Sequence, residues 1–241
     1  MTKTDVNAPI SSAEVLQRLR EIADPKIVEN RAGRFGISTT NALGVSQQDL
    51  KLMAREIGQD DALAVALFNT GVYEARLLCS KLFDPAALTE AQMDAWAMTF
   101  DNWEICDSFC MGFFARSAHA RAKAEQWSTR QEEFVKRAAF SIMASYGFAH
   151  KQAPNDVFER FLVLIEREST DERHYVSKAV NWALRNIGKR NRDLQEMAIS
   201  LANKLKLSDA ACSRWIGSDA LRELDVPGRK LLDYPRQVYR R

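Results

Sequence analysis

Glycine and proline are scarce: ten and six among 241 residues, about half their usual shares. An all-β sandwich or barrel needs turn residues roughly every 8–12 positions, so that class is excluded. No stretch of about 18 consecutive apolar residues exists to cross a membrane, and the polar opening Met1-Thr-Lys-Thr-Asp has no apolar core of a signal peptide. None of the four cysteines forms a CxxC pair, which points to reduced thiols. Together these features predict a cytoplasmic protein.

The chain also lacks a strong excess of one charge. It holds 34 basic and 32 acidic side chains, net +2. Residues 226–241 carry five of the basic ones (Arg229, Lys230, Arg236, Arg240, Arg241) and one acid, Asp233. The remainder has 29 basic and 31 acidic side chains, so any polyanion site has to rest on local patches. GxGxxG, Walker A, HExxH and GxSxG signatures are all missing, and His119, His150 and His174 show no metal-ligand spacing. Cys106 and Cys110 share a helix face but have no nearby histidine, and read as core residues. No cofactor and no metal are expected.

What is present is helix after helix. Residues 46–57 begin with a Ser46 N-cap and place Leu50, Met53, Ala54 and Ile57 at helical spacing. Thr89-Glu-Ala-Gln92 resembles a capping box opening a helix to about Phe100. Further helical segments fit 60–69, 72–83, 103–116, 118–127, 131–148, 155–167, 172–188, 192–205 and 208–224, with Pro85 and Pro154 in breaks between them. Residues 1–11 read as an N-terminal tail, 12–225 as a single domain and 226–241 as a basic C-terminal tail.

One phrase recurs. Tyr73-Glu-Ala-Arg76-Leu-Leu, Phe134-Val-Lys-Arg137-Ala-Ala and Tyr175-Val-Ser-Lys178-Ala-Val share an aromatic residue, a cation three positions later, then small or apolar residues. Ala211-Cys-Ser-Arg214-Trp-Ile is a weaker copy. The cations lie 61, 41 and 36 residues apart, the first gap leaving room for another divergent unit. Helix pairs repeating at roughly 35–47 residues are the mark of HEAT-type stacks. The expected fold is therefore all-α, a right-handed α-solenoid of HEAT-like repeats without strands. Stacking would line Arg76, Arg137, Lys178 and Arg214 along one surface, or else engage each in a salt bridge between repeats.

Two clusters carry possible chemistry. Between Arg173 and Arg192 there are six basic residues and no acid, and Lys178, Trp182, Arg185 and Lys189 follow i, i+4, i+7, i+11 spacing. The opposite side is apolar (Val176, Ala179, Val180, Ala183, Leu184, Ile187). An aromatic and cationic stripe suits a nucleic acid, cations to phosphates and ring to base or sugar; alternatively Trp182 packs on the next repeat and the cations are solvated. In the second cluster Trp103 and Asp107 stand four apart on one helix face. An indole attracts a cation and a carboxylate stabilises developing positive charge, while an Asp paired with an Arg is the structural alternative.

These residues resemble the DNA alkylation repair proteins of the AlkD type, HEAT-like-repeat DNA glycosylases. Trp103-Glu-Ile-Cys-Asp107 looks like that family's Trp-x-x-x-Asp motif. Phe134-Val-Lys-Arg137-Ala-Ala resembles its following repeat, with an Arg on the DNA backbone. Lys178-Ala-Val-Asn-Trp182-Ala-Leu-Arg185, continuing to Lys189-Arg190-Asn191, is similar to its Lys-Ala-x-x-Trp-x-Leu-Arg signature. The resemblance spans roughly 30–224 and implies a monomeric, monofunctional glycosylase releasing N3- or N7-alkylated purines from double-stranded DNA held on a concave basic and aromatic face. It implies Trp103 and Trp182 holding the cationic lesion, Asp107 stabilising the oxocarbenium-like sugar, and Arg137, Lys178, Arg185, Lys189 and Arg190 on the DNA. Phe35 falls loosely where the family has a tyrosine. Arg137 and Arg185 are expected to flank the cleft without neutralising acids. The alternatives are a non-catalytic HEAT-like scaffold for nucleic acid or protein, and a protein-only adaptor.

Overall fold

In the computed structural model, residues 10–37 and 40–239 are described, and among them every regular element is helical. The chain divides into two compact units, Met1–Asp84 and Pro85–Arg241.

The first unit holds α1 (Ser12–Glu21), α2 (Pro25–Phe35), α3 (Gln47–Ile57), α4 (Asp61–Asn69) and α5 (Tyr73–Leu82). Helices α1 and α2 go beyond those the sequence pattern predicts. Their starts are nevertheless chemically explicit. Ser11 and Glu14 close a capping box on α1, and Asp24 caps α2 ahead of Pro25. Ser46 caps α3 as expected. Between α2 and α3 the chain turns around the wholly buried Glu74, whose carboxylate accepts the amides of Leu43, Gly44 and Val45 and a 2.6 Å bond from Arg31. Gly44 sits at φ 88°, and a Cβ there would stand 2.0 Å from the Asp24 carbonyl oxygen, so this turn requires glycine.

The second unit holds α6 (Glu90–Ala97), α7 (Trp103–Gly112), a 3₁₀ turn (Phe114–Arg116), α8 (Ala120–Trp127), α9 (Glu133–Ala149), α10 (Asn155–Glu168), α11 (His174–Gly188), α12 (Arg192–Lys206), α13 (Ala211–Leu224) and α14 (Arg236–Tyr239). Helices α8/α9, α10/α11 and α12/α13 pack as hairpins, and α7, α9, α11 and α13 form one row in which each packs on the next. This is the all-α repeat stack the recurring phrase predicts. The helix expected over 103–116 breaks at Phe113, where φ −124° and ψ −74° end α7. The break turns both Phe113 and Phe114 inward, into a cluster of rings with Trp96, Phe100, Phe109 and Trp127. Aromatic burial outweighs one more helical turn there.

Helix α9 is the core of this unit: every residue from Val135 to Ser145 is buried. Its small residues Ala138, Ser141, Ala144 and Ser145 let neighbouring helices approach closely. Cys106 and Cys110 are core residues, as expected; their thiols face the carbonyls of Phe134 and Ala138 at 3.6 Å. Burial pushes the Cys110 thiol well above its ordinary value.

The basic C-terminal tail is a correction. Its middle, residues 231–235, is docked rather than free: Leu232 N–H donates to the Lys189 carbonyl at 3.0 Å and Tyr234 N–H to that of Arg190 at 3.2 Å. Of the N-terminal tail only Ile10 and Ser11 belong to the described residues, and Arg240 and Arg241 lie outside them.

Helices α12 and α13 meet at Gly217, where a Cβ would stand 2.4 Å from the Ala202 carbonyl oxygen and 2.6 Å from the Lys206 nitrogen. Both obstacles are backbone and cannot rotate away. Gly217→Ala is expected to lower the free energy of unfolding by about 1–3 kcal/mol despite the better helix propensity of alanine. Urea denaturation checks this; a variant as stable as wild type would mean the two helices separate freely.

Candidate functional site

Asn102 caps α7 by accepting the amides of Glu104 and Ile105, which puts Trp103 in the first turn and Asp107 one turn further along the same face. Trp103 and Asp107 are both half-buried. Across the row, Arg137 on α9 holds the Asp107 carboxylate with two bonds, Nε to Oδ1 at 3.1 Å and a terminal nitrogen to Oδ2 at 2.7 Å. Ser141, one turn along α9, donates to Oδ1 at 2.9 Å. The other guanidinium nitrogen of Arg137 donates to the Tyr175 carbonyl at the start of α11, at 2.7 Å. Arg137 thus ties three helices together. Its side chain is 8% exposed and that of Asp107 16%.

This overturns the expectation that Arg137 stands free of acids. Burial opposes the charge on Arg137, but the adjacent Asp107 charge and hydrogen bonds outweigh it and raise the guanidinium above its usual range. Arg137 is a partner of the carboxylate and not a free cation.

On α11 the stripe expected from sequence is in place but largely engaged. Arg185 donates to Glu223 on α13 at 2.7 Å, and Lys189 to the same carboxylate at 2.8 Å; Asp219 lies 3.9 Å from Arg185. Arg185 therefore departs from expectation in the same way as Arg137. Burial works against the charges of Asp219 and Glu223. Asn181 and Arg222 nevertheless bring Asp219 below the usual carboxylate range, and Lys189 and Arg185 do the same for Glu223. Lys178 differs: it is exposed, its ammonium 5.9 Å from the centre of the Trp215 ring. Trp182 is half-buried on α11, across α9 from Asp107.

Arg190 is a second correction. It is 1% exposed, and its terminal nitrogens donate to the carbonyls of Gly147, His150, Lys151 and Ala153, with the guanidinium 4.2 Å from the Phe158 ring centre. It fastens the loop after α9 and presents nothing to a ligand. Burial lowers it to about 10. In the first unit Phe35 ends α2 and is 42% exposed, with the Arg34 guanidinium 5.2 Å from its ring centre. The cation ladder resolves into separate uses: Arg76 lies over Phe68, Arg137 pairs with Asp107, Lys178 stays exposed, and Arg214 caps the carbonyls of Ser208 and Asp209. Ser141, Asp219 and Glu223 were not singled out from sequence. The i, i+4 acids of α13 repeat the i, i+4 cations Arg185 and Lys189 of α11, a complementarity visible once the two helices are known to be neighbours.

Among the described residues no group of three or more His, Cys, Asp or Glu side chains is placed to hold a metal, and no helix is long and apolar enough to cross a membrane.

Removing Arg137 would leave Asp107 a largely buried charge with Ser141 alone. Arg137→Ala is expected to cost about 2–4 kcal/mol of unfolding free energy, whereas Lys178→Ala on the exposed side of α11 should stay within about 0.5 kcal/mol. Equal effects in urea titrations would contradict the structural role given to the pair.

No curated protein matches the chain. Among solved structures it is similar to one described as "A new family of proteins related to the HEAT-like repeat DNA glycosylases with affinity for branched DNA structures". The two share 18% identity with a TM-score of 0.73, over 92% of this chain and 98% of that one. At that identity the likeness establishes the fold, a HEAT-like helical repeat. The family described as DNA alkylation repair enzyme matches residues 15–224, from within α1 to the end of α13. The chain belongs to that DNA alkylation repair family.

Proposed function

We propose that this protein is a DNA-binding, monofunctional glycosylase that hydrolyses the C1′–N bond of N3- or N7-alkylated purines in duplex DNA. The observation that carries the reading is the Asp107 carboxylate, held by Arg137 and Ser141 and still reaching the surface one turn from Trp103. A fixed carboxylate needs no reorganisation when positive charge develops beside it.

Alkylation at N3 or N7 makes the purine cationic. The indoles of Trp103 and Trp182 attract such a base and its sugar through their ring faces. As the C1′–N bond breaks, its electron pair leaves with the purine, which departs neutral. The sugar becomes oxocarbenium-like, facing Asp107. Water, hydrogen-bonded to Asp107, then adds to C1′, and its proton passes to bulk solvent. The leaving group is already charged, so no strong general acid is required, in keeping with the absence of a histidine from the Asp107 cluster. Arg137 serves as a positioning residue in this scheme. Lys178 takes a phosphate directly, and Arg185 and Lys189 do so by exchanging Glu223 for the DNA backbone. Phe35 is assigned to the DNA-contacting surface by the resemblance alone.

A second reading, DNA binding without excision, is favoured by the Arg137 guanidinium, which already pairs with both oxygens of Asp107 and so offsets the negative charge offered to an oxocarbenium-like sugar. Single-turnover release of free base from duplex DNA containing 7-methylguanine separates the two. Asp107→Asn is expected to slow release about 10²–10³-fold with duplex affinity changed little. Undiminished release by this variant removes the catalytic assignment; binding without release by the wild type favours the second reading.

The Glu223 contacts predict a gain of affinity. Glu223→Gln frees Arg185 and Lys189, and should tighten binding to undamaged duplex and steepen its salt dependence by roughly one to two phosphates' worth. Salt titrations by fluorescence anisotropy check this; unchanged slopes would mean that these cations never meet phosphate.

A further inference from the structure

The cations that the α11 stripe singles out are largely spent on carboxylates, while those of the C-terminal segment are not. Arg229, Lys230 and Arg236, together with Lys151 in the loop after α9, make no ion pair among the described residues. Lys151, Lys230 and Arg236 are exposed. Lys151 and Arg236 are also held in place. Tyr234 is a buried hub: its carbonyl accepts from Asn191 at 2.7 Å and its amide donates to the Arg190 carbonyl. The Lys151 ammonium lies 5.7 Å and the Arg236 guanidinium 5.2 Å from its ring centre. Further on, Tyr239 accepts from Asn155 at 2.8 Å and donates to Asp193, which fixes the short helix α14. The buried Arg190 completes the arrangement by tying down the loop that carries Lys151.

The segment passes the end of the α11 stripe, because Leu232 bonds to the carbonyl of Lys189 itself. Leu232 also lines a small hollow with Phe148 and Asn186, at the ends of α9 and α11. Its one acid, Asp233, is outnumbered by the basic residues around it. Unpaired cations held at fixed spacing on ordered backbone lose little freedom on meeting a polyanion, and each releases a condensed counterion from DNA.

We propose that residues 226–239 and Lys151 form a second DNA-backbone site, which takes the phosphates of the duplex flanking the position held by α7 and α11. This rests on the DNA-binding part of the reading above but not on excision. The probe is therefore an undamaged duplex, followed by fluorescence anisotropy between 50 and 200 mM salt. Lys151→Gln/Arg236→Gln changes exposed side chains and keeps Tyr234. It is expected to weaken binding about 10-fold and to lower the salt slope by roughly two units, while Lys206→Gln, on the exposed side of α12, leaves both as in wild type. Tyr234→Ala keeps every cation but unseats the segment, and should lose affinity similarly while thermal denaturation shows it folded. Wild-type affinity and slope in Lys151→Gln/Arg236→Gln would overturn the proposal, and so would wild-type binding by folded Tyr234→Ala. A wild type that binds this duplex in the expected way yet releases no base from an alkylated one supports the site and overturns only the excision reading.

Discussion

Arg137 joins three consecutive helices of one row, and the candidate site depends on that contact. Its guanidinium grips both oxygens of Asp107 on α7, sits on α9, and reaches the first turn of α11 through the Tyr175 carbonyl. A lysine has no planar fork with which to do this. The cost of burying the charge is offset by the opposite charge and by hydrogen bonds on all three nitrogens. The same contact that stacks the repeats therefore fixes the carboxylate.

The pattern repeats along the row with different partners. Asn181 bonds to Asp219, and Arg185 and Lys189 to Glu223, so that α11 and α13 are laced as α7 and α9 are. A stacked helix has two kinds of polar position, those meeting the next helix and those left to solvent. Periodicity identifies the stripe but not the kind. Lys178 and Lys189 share a stripe, yet one stays exposed over Trp215 and the other is held by Glu223.

This marks what was legible in the sequence. Helix starts were legible at Ser46 and Thr89, where a cap precedes a clear helical apolar spacing, but not at Ser11 and Asp24, whose caps open α1 and α2. The repeat architecture was, because an aromatic and a cation three residues later recur near the starts of α5, α9 and α11. Asp107 and Trp103 were legible as neighbours, since i, i+4 spacing is a local property. The partner of Asp107 was not, because Arg137 lies thirty residues away and its pairing follows from the offset between helices. The break at Phe113 was not legible either: helix propensity argues for continuation, and the ring cluster that stops it draws on Trp96, Phe100 and Trp127 from other elements.

The C-terminal residues show the converse error. A short basic stretch with three turn-prone residues (Pro227, Gly228, Pro235) reads as a tail when only its own composition is considered. Its order comes from elsewhere: the side chains of Asn155 and Asn191 and the end of α11 supply the donors and acceptors that hold it. Arg190, which the α11 stripe assigned to a ligand, is part of the same support. Charge alone therefore does not mark where a polyanion is met. What decides is whether a cation has already been claimed by a carboxylate or a carbonyl, and on that criterion the electropositive surface of this unit shifts from the middle of α11 towards its C-terminal end.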